Sequence, residues 1–248
     1  MLPRTISSLQ HPFVKYCVKL RSNKSFRREE KKALIFGSKL INELSYFSPL
    51  KIVLETSLHS SGARAENHIL VSDDIIKKIS GMHSPEPVAA IIEMPQEIDL
   101  SQSDHLLILD QISDPGNLGT LLRTALALGW DGVFLLGDCC DPYNDKALRA
   151  AKGATFLLPL QSGDWTCLQK VVHAKKRECY VASLQGAAFK EIKYSDSIAL
   201  ALGSESHGPS KDLIESFNAI HIPMHGQMES LNVAAAGAIL LQHMRGVS

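Results

Sequence analysis

The sequence predicts an α/β protein with two domains, the larger of which contains a mostly parallel sheet with helices on both faces. In the C-terminal part of the chain, short and almost wholly apolar strands alternate with segments whose apolar residues recur at helical spacing. That alternation is typical of parallel sheets buried on both faces. Three prolines and a polar stretch interrupt the chain between Pro85 and Ser103, and a chain of 248 residues suits one large or two modest domains.

Residues 1–95 predict a small α/β domain, because short apolar strands alternate there with helical patterns. The predicted strands are Ala33–Phe36, Lys51–Leu54, His68–Val71 and Val88–Ile92. The predicted helices are Ser38–Phe47 and Ser72–Ser80. Prolines and polar residues then mark a change of composition from Met94 to Ser103, which predicts a linker at residues 96–104.

The alternation is clearer in the predicted second domain, residues 105–248. Its strands are the apolar segments HLLILD, GVFLLG, RECYVASL and SIALALG, which span 105–110, 132–137, 177–184 and 197–203. Its helices are NLGTLLRTALALG, which Gly129 closes, and SLNVAAAGAILLQHM, which runs from Ser230 to Met244. Strands that are apolar throughout indicate a sheet covered on both faces.

Composition excludes several classes of protein. A chain that is 45% hydrophobic and 21% charged is expected to fold rather than remain disordered. No apolar run reaches the roughly eighteen residues of a membrane span, and charges break any N-terminal signal core. The five cysteines form no CxxC pair, so we expect reduced thiols and a cytoplasmic protein. Pro223 separates His221 from His225, and we expect no metal site.

The net charge of zero hides a basic N-terminal region. Residues 1–39 contain ten lysines and arginines against two glutamates. Such a region can bind a polyanion, because each cation that meets a phosphate releases a counterion. A solvated helical face is the alternative, and charge alone leaves both open. The candidate phosphate contacts are Arg27, Arg28, Lys31 and Lys32.

Three junctions between strands and helices have compositions unlike ordinary turns. They are LDQISDPGNLGTLLRTA at 109–125, ALALGSESHGPS at 199–210 and IPMHGQMESLNVAAAGAILL at 222–241. Asn117 and Ser230 are candidate helix N-caps, Gly203 permits close backbone approach, and Glu205 lies at a loop tip. Because ligands bind where strands of an open α/β sheet end, these loops predict a polar site for a hydroxylated substrate.

Common nucleotide and hydrolase motifs do not fit this chain. The sequence has no G-x-G-x-x-G after its first strand and no G-x-x-x-x-G-K-[ST] motif. The segment SESHG around Ser206 carries Ser204 where a nucleophile elbow has its first glycine, which disfavours a serine hydrolase.

The segments DPGNLGTLLRTA, ALGSESHGPS and IPMHGQMESLNVAAAGAILL resemble the three signature motifs of the SpoU/TrmH family of RNA 2′-O-ribose methyltransferases. KALRAAKGATFLLPL resembles a further family segment, and the resemblance covers residues 105–245. Residues 5–41 resemble the family's accessory RNA-binding domain of the L30e-like type. Phe36, Ser206 and Pro209 depart from the family pattern.

The resemblance implies a deep trefoil knot whose loops hold S-adenosylmethionine. It also implies a homodimer that pairs through the knot region, in which first-motif residues of one subunit complete the site of the other. The implied cofactor-binding residues are Leu184, Gly203, Ile222, Met224 and Leu231.

The implied reaction is attack of a ribose 2′-hydroxyl on the sulfonium methyl, and it needs no metal because the leaving group is already good. The implied catalytic residues are Asn117, Arg123, Glu205, Ser230 and Asn232. Arg123 is either the base or the cation that stabilises phosphate and alkoxide, and physical chemistry favours the second role. The accessory domain favours ribosomal RNA over tRNA. The alternative is a catalytically degenerate RNA-binding or ribosome-assembly protein of the same fold.

Overall fold

The computed structural model describes residues 5–48, 50–56, 61–228 and 230–246. The chain forms two compact units, one made of residues 1–95 with 143–156 and the other of residues 96–142 with 157–248. The first boundary falls where the change of composition begins. The inclusion of 143–156 in the first unit was not predicted, because this segment lies inside the sequence of the second. Within the described residues, no helix has the length and apolar character needed to cross a membrane.

The secondary structure follows the predicted alternation. The strands of the described residues are β1 Thr5–Ile6, β2 Lys32–Phe36, β3 Leu50–Glu55, β4 Ala65–Val71, β5 Val88–Glu93, β6 His105–Asp110, β7 Gly132–Leu136, β8 Leu160–Gly163, β9 Glu178–Ala188, β10 Ile198–Leu202 and β11 Asn218–His221. The helices are α1 Pro12–Ser22, α2 Lys24–Glu30, α3 Ser38–Phe47, α4 Asp73–Ser80, α5 Pro115–Ala127, α6 Asp145–Ala151, α7 Ala154–Leu157, α8 Trp165–His173, α9 Lys211–Ser216 and α10 Val233–Met244. Each predicted strand and helix overlaps one of these elements.

The first unit has a mixed sheet in the order β1-β4-β3-β5-β2, in which β5 is antiparallel to both β2 and β3. Alternate strand residues face opposite sides, so the sheet has two apolar faces to cover. Helices α1 and α4 cover one face with side chains such as Leu20 and Ile76. Helix α3 covers the other face with Ile41 and Leu44, and Leu148 of α6 joins the same core.

Arg27 has a structural place in the first unit, which corrects its assignment as an RNA contact. Its side chain is only 3% exposed. The guanidinium donates to the backbone carbonyls of Leu20 at 2.7 Å and Arg21 at 2.6 Å, so it ties α2 to the end of α1. A charge pattern alone could not separate this buried arginine from the exposed Arg28 beside it.

The second unit has a six-stranded sheet in the order β11-β9-β10-β6-β7-β8, and every neighbouring pair is parallel. This confirms the predicted parallel sheet. Helices α8 and α9 pack on one face, with Leu168 and Leu213 in the core. On the other face α10 lies against α5 and β10, and Gly237 allows that approach because a Cβ there would lie 2.4 Å from Leu121 Cδ2.

The predicted linker is held on the second unit by a buried arginine. Leu100 is 1% exposed, and Ile98 donates its N–H to the carbonyl of Leu160 at 3.3 Å. The Arg177 guanidinium donates to the carbonyls of Leu100, Ser101, Ser103 and Val171. Burial lowers the pKa of Arg177 below its usual range. These residues therefore belong to the packed unit.

Replacing Arg177 with leucine should destabilise the protein by about 3 kcal/mol, because buried carbonyls would lose their donors. Urea unfolding followed by circular dichroism measures this change. Arg149→Leu is the matched control, since its ion pair with Asp145 is partly exposed and such pairs contribute about 1 kcal/mol or less. Equal free energies of unfolding for the two variants would contradict the structural role of Arg177.

Candidate active site

Three loops meet at one edge of the parallel sheet in the second unit. They follow β6, β10 and β11, and they lead into α5, α9 and α10. Because the strands are parallel, their carboxyl ends lie at the same edge, where open α/β sheets bind ligands. The three predicted motifs are these loops with the first turns of their helices.

The side chain of Asn117 connects all three loops. Its Nδ2 donates to Glu205 Oε1 at 2.7 Å, and its Oδ1 accepts from Asn232 Nδ2 at 3.0 Å. We call this Glu205–Asn117–Asn232 arrangement the three-loop bridge. It uses one donor and one acceptor of the same carboxamide, and its Glu205 and Asn232 side chains are exposed to a ligand.

Helix α5 begins in a way that leaves the Asn117 side chain free for this bridge. Pro115 occupies the first turn, and Asp114 is the N-cap, whose Oδ1 accepts the Asn117 N–H at 2.8 Å. The expectation that Asn117 caps the helix is therefore wrong. An aspartate directly before a helix-initiating proline provides the cap instead.

Asn232 has two functions at the start of α10. Its Oδ1 accepts from the N–H groups of Ala234 at 2.9 Å and Ala235 at 3.3 Å, while its Nδ2 belongs to the three-loop bridge. The expected cap, Ser230, lies two residues too early because the helix begins at Val233. Ser230 is exposed and makes no hydrogen bond within the described residues.

Asp110, the last residue of β6, fixes the loop that carries Glu205. Its side chain is 1% exposed, and its Oδ2 accepts the Ser210 N–H at 2.7 Å. This bond joins the end of β6 to the start of α9. Asp110 was not among the predicted site residues, although a single carboxylate ending an otherwise apolar strand was a signal for it.

Gly203 makes room for the loop itself. A Cβ at this position would lie 2.1 Å from the backbone nitrogen of Pro209. The loop closes through the Gly208 N–H, which donates to the Ser204 carbonyl at 2.9 Å. The expectation was that Gly203 gives space to a cofactor; the described contact is with the loop's own backbone, and its contact with a cofactor stays a prediction.

Arg123 is not part of the three-loop bridge in its own chain. It lies six residues after Asn117 on α5, and about 100° of rotation per residue puts the two on different faces. Its side chain is exposed and makes no hydrogen bond or ion pair with any residue that the structure describes. A guanidinium in this position is available to a partner outside the chain.

Two of the expected cofactor residues are exposed apolar side chains. Leu184 is 70% exposed and Leu231 is 42% exposed, whereas Ile222 and Met224 are partly buried. Residues 182–186 fall outside the pairing of β9 with β11, because the register shifts between Ala219 and Ile220. Met228 is 74% exposed and was not predicted, although its place in the third motif could have indicated it.

The site contains no reactive thiol or metal cluster within the described residues. Burial raises the pKa of Cys140 to about 12, with further effects from Cys139, Asp114, Asp141 and Glu205. Its thiol is therefore neutral at physiological pH. In the part of the chain that the structure describes, no group of three or more His, Cys, Asp or Glu side chains is arranged to hold a metal.

The two functions of Asn232 can be separated by substitution. Asn232→Ala should cost about 1 kcal/mol of stability, because it removes the N-cap. Asn232→Asp keeps the capping oxygen and should leave the stability within about 0.5 kcal/mol, while it removes the donor to Asn117. Thermal and urea unfolding measure both variants. If Asn232→Asp is as unstable as Asn232→Ala, the cap is not the stabilising contact.

The comparisons with known proteins agree with this geometry. A family model described as the SpoU rRNA Methylase family matches residues 104–242. The 23S rRNA (guanosine(2553)-2′-O)-methyltransferase RlmP of Bacillus subtilis is 35% identical over 250 residues, covering 98% of this chain and all of that protein.

Further relatives extend the comparison. The 23S rRNA (uridine(2479)-2′-O)-methyltransferase of Streptomyces viridochromogenes is 29% identical over 204 residues, 73% of this chain and 68% of that one. The AdoMet-bound rRNA methyltransferase from Sinorhizobium meliloti has a TM-score of 0.86 with 27% identity, and the alignment covers 97% of each chain. The structural alignment covers both units of the present chain. With the motif loops joined at one sheet edge and a family model matching across them, the chain belongs to the SpoU rRNA methylase family.

Proposed function

We propose that the protein transfers a methyl group from S-adenosylmethionine to a ribose 2′-hydroxyl of ribosomal RNA. The observation that carries this proposal is the three-loop bridge, which brings polar residues of all three motifs together beside exposed apolar side chains. The family supports methyl transfer, and the two relatives named for 23S rRNA 2′-O-methylation support the substrate. Because both relatives are named for 23S rRNA, we favour ribosomal RNA over tRNA as the substrate.

The apolar surface of the loops suits the adenosyl part of the cofactor. Leu184 and Leu231 expose apolar area, and Ile222 and Met224 lie partly buried in the loop that carries Leu231. These four residues would hold the cofactor, with Gly203 keeping the neighbouring loop closed. The bound cofactor supplies an electrophilic methyl group on sulfonium, which needs no metal. The protein's task is to exclude water and align the ribose hydroxyl.

The deep trefoil knot is part of the proposal. Strand β11 lies at one edge of the sheet beside β9, yet the next helix, α10, packs on β10 and α5 nearer the middle. Between β11 and α10 the chain therefore returns from the edge of the sheet toward β10. That path is the one a threaded C-terminal segment would take.

We infer that Arg123 acts in the site of a partner subunit. It is exposed and lies away from the three-loop bridge of its own chain. A homodimer in which α5 of one subunit faces the motif loops of the other would bring its guanidinium to the ribose. There it would bind the flanking phosphate and stabilise the developing alkoxide, because a guanidinium is a strong donor and a poor base.

The other motif residues would position the ribose. The carboxylate of Glu205 is the one charged member of the three-loop bridge, and it fixes the Asn117 carboxamide through its 2.7 Å bond. Ser230 is exposed in the loop that carries Asn232 and would offer a hydroxyl to the substrate. The five cysteines are free thiols, which, with a ribosomal substrate, supports a cytoplasmic location.

Arg123→Ala should lower methyl transfer by about 100-fold or more, because it removes a charge that acts on the transition state. Its affinity for S-adenosylmethionine should stay within a few-fold of the parent, since Arg123 is assigned to the RNA side. Calorimetry with EDTA present measures cofactor binding, and transfer of labelled methyl to ribosomal RNA measures turnover. Lys211→Ala, another exposed helical cation, is the control.

A mixture of two inactive chains tests whether Arg123 acts across the dimer. Arg123→Ala and Glu205→Ala subunits, refolded together, should regain about a quarter of the parent activity, because half the dimers are mixed and each has one intact site. Full turnover by Arg123→Ala alone would contradict the assignment of Arg123 to the active site.

A parent protein that binds RNA and cofactor yet transfers no methyl would instead favour the catalytically degenerate alternative.

The first unit is proposed to capture RNA as an L30e-like domain. Arg28 and Lys31 are exposed, while the Lys32 ammonium lies 3.7 Å from Glu30 Oε2. Arg27 is excluded by its burial. The basic surface offered to phosphate is therefore smaller than the sequence indicated.

The double variant Arg28→Glu with Lys31→Glu should weaken RNA binding and reduce its log–log salt slope by up to about one per lost phosphate contact. Filter binding over a range of salt concentrations measures this slope. Lys77→Glu, an exposed cation on α4, should leave the slope unchanged. If the double variant also leaves it unchanged, these residues form only a solvated face.

A further inference from the structure

The second unit has a cavity that is separate from the three-loop bridge, since none of its lining residues belongs to the three motifs. It has a volume of about 530 Å³ and lies between α8, the start of β9 and the connection from α9 to β11. Neither the motifs nor the proposed catalytic mechanism uses it. The lining residues on which the argument depends are Trp165, Gln169, His173, Lys176, Phe217 and Asn218.

The inner wall of this cavity is aromatic. The ring centroids of Trp165 and Phe217 lie 6.3 Å apart with an interplanar angle of 45°. Phe217 is 8% exposed and belongs to the core, whereas Trp165 is partly exposed and only packs against that core. Burial raises the pKa of the neighbouring Cys179 to about 11, so its thiol stays neutral. The wall thus offers uncharged aromatic rings, and bases stack on the faces of such rings.

The rim of the cavity is cationic, and its charges are not all used within the chain. Lys175 is paired with Asp104, and the Arg177 guanidinium bonds to backbone carbonyls. Lys176 and His173 are exposed and make no hydrogen bond or ion pair with the residues described. Glu178, the one acid among the lining residues, accepts the Tyr180 hydroxyl at 2.8 Å.

We propose that this cavity binds an unpaired nucleotide of the RNA substrate. The base would stack on Trp165 and the phosphate would meet Lys176, with His173 beside it. Gln169 and Asn218 offer amide donors and acceptors to the edge of the base. The volume fits a ligand of this size, since small-molecule sites span about 300–1,000 Å³. This inference rests on the proposed function, because it names a second contact with the same RNA.

Because no motif residue lines the cavity, a contact there should affect capture of the RNA and leave the chemical step unchanged. Lys176→Glu should raise the KM for RNA by about 5- to 10-fold at low salt, with kcat within about 2-fold of the parent. Lys170→Glu is the matched control, because Lys170 is exposed on α8 but does not line the cavity. If the two variants raise the KM equally, the effect comes from the general charge of the protein and not from the cavity, and the proposal is overturned.

Tryptophan fluorescence provides a test that does not depend on catalysis. Trp130 is 2% exposed, so quenching by an added ligand reports on Trp165, the second of the two tryptophans. A single-stranded RNA hexamer should quench the parent protein and should quench Lys176→Glu only at higher concentration. Quenching by adenosine monophosphate but not by the hexamer would overturn the RNA assignment in favour of a free nucleotide.

The two proposals fail separately. If the parent transfers no methyl to RNA, the proposed function fails, whereas hexamer quenching still tests the cavity. If the parent methylates RNA while the hexamer causes no quenching and Lys176→Glu keeps the parent KM, the cavity proposal alone is overturned.

Discussion

The site depends on one carboxamide, that of Asn117, which joins loops separated from it by 88 and 115 residues along the chain. A carboxamide can donate to a carboxylate and accept from another amide at once, whereas an aspartate lacks the donor and a leucine lacks both groups. Two local features keep it available. Asp114 caps α5, so the Asn117 side chain is not needed for the cap. Asn232 caps α10 with its side-chain oxygen and donates from its side-chain nitrogen to Asn117. The helix starts and the site are therefore set by the same few hydrogen bonds.

The bridge is supported by close packing that polar groups alone would not provide. Asp110 fixes the start of α9 through its hydrogen bond with Ser210. Gly203 has no side chain, which lets the loop between β10 and α9 fold back on itself. On the covered face, Gly237 lets α10 approach Leu121 and Leu202. Buried hydrogen bonds and side-chain-free contacts tolerate little displacement, so the loops are held in one arrangement before any ligand arrives. Such an arrangement suits a reaction whose catalysis is mainly alignment.

Much of this could be predicted because strand burial and helical periodicity are local patterns. Eight of the eleven described strands, the helices α3, α4, α5 and α10, and the meeting of Asn117, Glu205 and Asn232 at one sheet edge follow from that pattern and the parallel order of the sheet. The caps could not be assigned as easily, because Asp114 and Asn117, or Ser230 and Asn232, compete within a few residues for the same backbone groups. The buried Arg27 and the packing of Leu100 under Arg177 are long-range outcomes that charge and proline content do not reveal. Helices α1 and α2 were missed because the basic residues there obscured their apolar positions. The short strands β1, β8 and β11 and the helices α6 to α9 were also not predicted.

The assignment of residues 143–156 to the first unit has a consequence for how the protein can be divided. The polypeptide passes between the units at residues 95–96, 142–143 and 156–157, so no single cut separates them. A fragment starting at residue 96 would carry Leu148 and Phe156 without the core in which they are packed. The N-terminal piece would keep α3 on this core but would lose the contacts of Leu148 and Phe156. The two units are interleaved in the chain, so a cut at residue 95 leaves one fragment without part of its unit and gives the other fragment a segment that belongs elsewhere.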